Sequence, residues 1–128
     1  MIEYPSAPDT PRSPLPFSPA TKVGDLIFVS GQASVDATGK IVSGTFEEEM
    51  RRSIENLRKV LETAGSDLKH VVQTRNYVRD NDDLPLFNKI YPEYFAAPFP
   101  ARTTITNCLG PQLRYEIECI AVVSKPGS

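Results

Sequence analysis

Residues 115–123 read Tyr-Glu-Ile-Glu-Cys-Ile-Ala-Val-Val, and this stretch sets the tightest limit on the fold. A strand sends successive side chains to opposite faces. Glu116 and Glu118 therefore share one face, and Ile117, Cys119 and Ala121 share the other. A second arm rich in β-branched residues runs from Pro100 to Cys108, with Gly110-Pro111 as punctuation between the two. On that arm Arg102, Thr104, Thr106 and Cys108 share a face. Closeness in sequence predicts that the arms pair, which would set a guanidinium beside carboxylates on a sheet surface that is otherwise apolar. A buried charge without a partner is costly, so Arg102 needs an anion. Spacing alone leaves two readings open. Arg102 pairs with Glu116 or Glu118 as structure, the commoner fate of a strand charge, or it meets an anionic ligand.

The other elements follow from periodicity. In residues 45–64, Phe46, Met50, Ile54, Leu57, Leu61 and Ala64 repeat at helical spacing. Thr45 with Glu48 fits a capping box, and Gly65 fits the position just past the end. Glu47–Arg51, Glu48–Arg52 and Glu55–Lys59 are spaced as i,i+4 pairs on the wet side. Residues 17–32 predict two strands around Gly24-Asp25, the second with the continuous apolar run Leu26 to Val29 of a strand covered on both sides. Gly31, near its end, permits close backbone approach. Ile41-Val42 suits a short edge strand. Residues 69–79 predict another strand, with His70 as a surface or satisfied histidine and Arg75, Tyr77 and Arg79 on one face. Residues 83–95 predict a second helix that Pro92 should kink or end. This order gives an α+β sandwich with two helices on one face of a mixed sheet. The sheet face assigned to Arg102, Thr104 and Glu116 then has no third layer in one chain, so other subunits are expected to cover it.

Composition narrows the function classes. A chain of 128 residues is most simply one domain, here residues 17–128 behind a Pro- and Ser-rich arm at 1–16. A net charge of −2 offers no basic patch for nucleic acid. No apolar run approaches the roughly 20 residues of a membrane helix. No basic-then-apolar leader is visible, and Cys108 and Cys119 read as free thiols, so a cytoplasmic location is expected. The cysteines and the single histidine lack metal-ligand spacing, so no metal is expected.

The segments Pro100-Ala101-Arg102-Thr103 and Glu116-Ile117-Glu118-Cys119-Ile120-Ala121 resemble the signature of the RidA/YjgF family, also called the endoribonuclease L-PSP family. The likeness extends through Val23-Gly24, Ser30-Gly31-Gln32, Asn56-Leu57, Leu61 to Gly65, Asp82-Asp83-Leu84, Asn88 and Tyr94-Phe95. It implies a chorismate-mutase-like fold assembling as a homotrimer with clefts between subunits. It implies hydrolysis of 2-imino acids and their enamines to 2-oxo acids and ammonia, without a cofactor. On this resemblance Arg102 binds the substrate carboxylate and Glu116 positions or activates water, Glu118 being the competitor for that role. The Gly31 N–H is a second anchor, and Phe17, Ser30, Asn88 and Thr104 fall at pocket positions. Several departures bear on substrate range: Phe17 stands where tyrosine is typical, Thr104 where cysteine is common, and the loop 107–111 is about one residue short and lacks its usual arginine. Alternatives are a 2-aminomuconate-type deaminase, an endoribonuclease, and a non-catalytic module that binds 2-oxo acids.

Overall fold

The computed structural model describes residues 1–11 and 13–125, so residue 12 of the expected arm and residues 126–128 of the expected domain lie outside the described residues. Among the described residues the strands are β1 (Ile2–Glu3), β2 (Ala20–Val23), β3 (Leu26–Ala33), β4 (Val71–Val78), β5 (Ala101–Thr106) and β6 (Tyr115–Val122). The helices are α1 (Phe46–Thr63) and α2 (Leu84–Ile90). The strands form one sheet in the order β1-β2-β3-β6-β4-β5. Among the described strands only β4 and β5 run parallel.

α1 follows its sequence signals closely. The Thr45 side chain accepts from the Glu48 N–H, and Glu48 reaches back to the Thr45 N–H. At the far end Gly65 has a φ of +90°, and Ser66 N–H donates to the Leu61 carbonyl, which closes the helix with a Schellman turn. The stripe Phe46, Met50, Ile54, Leu57 and Leu61 is buried against Ile27, Val29, Ile117 and Ala121 of the sheet. Of the expected surface pairs only Glu47–Arg51 forms, at 3.0 Å. Glu48 is committed to the cap, so Arg52 donates to Ser34 Oγ instead, and Glu55 pairs with Arg58 rather than Lys59.

α2 ends at Ile90, and Pro92 sits in a 3-10 turn over Tyr91–Glu93, as a proline without an N–H requires. Ile41 makes one isolated bridge to Val35 instead of a strand. The arm is anchored at its start, where β1 pairs with β2 as an edge strand.

The expected pairing of the two C-terminal arms does not occur. β5 pairs with β4, and β6 lies on the other side of β4, against β3. Parallel strands need a crossover, and α2 is that crossover between β4 and β5. The backbone carries the same arrangement one residue further. Arg79 N–H donates to Arg114 O while Asn107 N–H donates to Arg79 O, so the end of β4 is wedged between the two arms.

This topology also corrects the assignment of faces. Arg102 is level with Thr74, which is level with Cys119, and both are buried on the helix side. Thr104 is level with Asn76 and Ile117, again on the helix side. Glu116 and Glu118 lie on the opposite face with Tyr77, Arg75, Phe28 and Ile105. Arg102 and Glu116 of one chain are therefore on different sides of the sheet. The face left without a third layer carries Glu116, but not Arg102 or Thr104.

Candidate active site

β5 is an edge strand, and its Arg102 meets residues of α2 and of the turn that follows it. Its guanidinium carbon lies 5.0 Å from the ring centroids of both Phe87 and Tyr91. Such ring faces hold a cation and fix its plane without neutralising it. Among the described residues Arg102 makes no ion pair and no side-chain hydrogen bond. The structural reading, an internal pair with Glu116 or Glu118, is ruled out by the register. A cleft of about 290 Å³ opens beside Arg102, lined by Asn88, Tyr91, Pro92, Phe99 and Pro100. It contains no acidic side chain.

The rings that carry Arg102 are themselves fixed from behind. Tyr91 Oη is 2.6 Å from Thr74 Oγ1, Asn76 Nδ2 donates to that same hydroxyl, and Tyr115 Oη donates to Asn76 Oδ1. All four side chains are buried. Burial raises the Tyr91 phenol, partly offset by its hydrogen bond to Thr74 and the charge of Arg102. Burial also raises the Tyr115 phenol well above its usual range. Both therefore stay neutral and act as spacers, not as acids. Thr104 Oγ1 is buried without a hydrogen-bond partner in the described structure.

The second cluster lies on the opposite face. β3 bulges between Val29 and Gln32, and the bulge turns Gly31 toward β6. A Cβ built on Gly31 would stand 2.3 Å from Glu116 Oε2, so only glycine lets the carboxylate lie there. Ser30 is held by its own hydroxyl, which donates to Ser18 O at 2.5 Å, and by its N–H, which donates to Pro19 O. No described residue hydrogen-bonds the Glu116 carboxylate. Burial, and secondarily the charge of Glu118, push its carboxyl above the ordinary range. Glu118 is occupied: Tyr77 Oη donates to it at 2.5 Å, and Arg75 lies 3.8 Å away. Of the two carboxylates on β6, Glu116 is the one left open for chemistry.

The other candidates divide between the clusters. Asn88 stands in the Arg102 cleft. Phe17 is exposed and lines a separate cavity formed by the N-terminal arm with Pro8, Thr10 and Pro19. His70 lies in a short turn capped by Asp67, its ring nitrogen 2.7 Å from the Asp67 carboxylate, and belongs to neither cluster. Cys108 and Cys119 are free thiols. Burial pushes Cys119 up to about 12 and raises Cys108, so neither is a ready nucleophile. Among the described residues no three His, Cys, Asp or Glu side chains converge as a metal site. Phe87 and Tyr91 were not among the residues expected at the site; they are buried in the core, and their faces also carry Arg102. Their i,i+4 spacing, one turn apart beside the arginine strand, was the available signal.

Fold and site define a small α+β protein with an unneutralised arginine in an aromatic cleft and an unpaired carboxylate at a glycine bulge. The family model described as Endoribonuclease L-PSP matches residues 8–123, and the chain belongs to this RidA/YjgF family. A RutC family protein of Pyrococcus abyssi is 42% identical over 108 residues, covering 83% of this chain and 85% of that one. A human protein named 2-iminobutanoate/2-iminopropanoate deaminase is 37% identical over 109 residues, covering 84% of this chain and 80% of its own. The crystal structure of the YjgF gene product from E. coli superposes with a TM-score of 0.83 at 29% identity, over 94% of this chain and 98% of that one.

Proposed function

We propose that this protein hydrolyses 2-imino acids to 2-oxo acids and ammonia, as a homotrimer whose sites combine Arg102 of one subunit with Gly31 and Glu116 of the next. The observation that carries the reading is the Arg102 guanidinium, held against two aromatic rings in a cleft whose lining has no acidic side chain. A planar fork of this kind grips a carboxylate with two parallel hydrogen bonds. The deaminase name of the human relative supports the same reaction class.

The chemistry asks little of the protein, because an imine carbon is already electrophilic. Arg102 fixes the substrate's carboxylate, and the Gly31 N–H gives a second donor. Glu116 takes a proton from water as the oxygen bonds to the imine carbon, giving a carbinolamine. The same carboxyl returns that proton to nitrogen and then takes the carbinol O–H proton as the carbon–nitrogen bond breaks, so that ammonia leaves with the 2-oxo acid behind. A carboxyl pushed up by burial is suited to both halves of this exchange. The net charge of −2 counts against the family's other label, endoribonuclease.

The opposite-face placement within one chain supports the shared site. The exposed Leu26, Phe28 and Ile105 on the uncovered face support association. The test is a coupled assay in which an amino acid oxidase generates imines and semicarbazide competes for them. The protein should lower semicarbazone yield and speed ammonia release. An unchanged yield at micromolar protein would overturn the proposal.

A further inference from the structure

Beyond the reaction class, and resting on it, the walls of the Arg102 cleft speak to which substrate enters. Four of its lining groups present only carbon. Pro92, Phe99 and Pro100 are apolar outright. Tyr91 turns its hydroxyl inward to Thr74, so it offers the cleft a ring face. Asn88 is the single uncharged polar side chain in the lining, and Arg102 is the single charge. Phe99 is 58% exposed, a large ring standing at the mouth of a charged cleft. Pro92 lines the same cleft from the tight turn that follows the end of α2 at Ile90.

The cleft of about 290 Å³ has room for more than the smallest imino acids. A leucine-derived imino acid can cover its apolar wall. An alanine-derived one leaves the apolar wall wet.

We propose that this cleft selects 2-imino acids with a bulky apolar side chain, with Phe99 and Pro92 as the specificity walls. The carboxylate goes to Arg102, and the side chain lies between the phenyl and pyrrolidine rings. A polar or acidic side chain would find one amide and otherwise carbon, and is disfavoured.

The experiment compares imines made by an oxidase from leucine and from alanine, together with calorimetric binding of the stable products 4-methyl-2-oxopentanoate and pyruvate. The wild-type protein should favour the leucine-derived imine in kcat/KM, and its product in affinity, by about tenfold. Phe99→Ala should bring both ratios down to about two or less, and Phe99→Leu should keep most of the preference. Circular dichroism should be the same for all three proteins, since Phe99 is mostly outside the core. A wild-type ratio near one, or a ratio unmoved in Phe99→Ala, overturns the specificity while leaving the deaminase reading intact. Failure to accelerate hydrolysis of either imine overturns both.

Discussion

At the scale of residues, the account rests on a cation without a partner and a carboxylate without a partner. Arg102→Ala should fold normally, because the side chain is exposed and makes no ion pair or hydrogen bond with a described residue, only its contacts with the Phe87 and Tyr91 rings. It should lose about 10- to 100-fold in kcat/KM, the worth of one charge-assisted contact of about 1.5–3 kcal/mol. Arg102→Lys should recover only part of this, since an ammonium keeps the charge but lacks the fork. Thermal melts beside the imine assay check both. Glu116 has a pH signature whose sign follows from burial. Its folded-state carboxyl is raised above the unfolded value, so its ionised form weakens the native state. Glu116→Gln should therefore melt higher than the wild type near pH 7. The gap should close as pH falls below the ordinary carboxylate range, where both states are protonated. The same variant should bind 2-oxo acids while its turnover slows. A melting gap that widens in acid would contradict the assignment.

At the scale of elements, much of the fold was legible. α1 announced itself through Thr45, Glu48 and Gly65, and Pro92 announced the end of α2. Thr45→Ala should cost about 1 kcal/mol of stability and leave catalysis alone, since the Thr45 hydroxyl serves the Glu48 N–H of its own helix and touches neither cluster. Chemical denaturation measures it. Strand order was not legible. The short, Gly-Pro-punctuated interval between β5 and β6 reads like a hairpin, yet Arg79 wedges the end of β4 between them. That pairing is set by the α2 crossover, a long-range constraint that local propensity does not carry. The β3 bulge was equally hidden, because Gly31 in a strand fits several uses. Gly31→Ala places a methyl where Glu116 Oε2 lies, 2.3 Å from the new Cβ. The carboxylate is the far end of a flexible side chain and should swing aside. Stability should then move by less than about 1 kcal/mol while kcat falls about 10- to 100-fold. A loss of folding with intact specific activity in the folded fraction would contradict this.

At the scale of the whole molecule, the Arg102 and Glu116 clusters face apart. The residue types were readable from the sequence, and the resemblance gave their roles. Which face each occupies depends on register across three strands, and alternation within each arm could not supply it. The uncovered sheet face, with Phe28 and Ile105 exposed beside Glu118 and Arg75, is where a second copy should dock. Sedimentation should give a trimer at micromolar concentration, and a monomer would leave each site incomplete. The most direct measurement is complementation. Arg102→Ala and Glu116→Gln each lose most of their activity under this account, but a trimer containing both kinds of subunit has one boundary where an intact arginine meets an intact glutamate. Unfolding the two variants together and refolding them at equal ratio should restore about a quarter of wild-type activity, as random mixing around a three-fold ring requires. Activity no greater than the sum of the separately refolded variants, in a sample shown to contain mixed trimers, would contradict a site shared between chains.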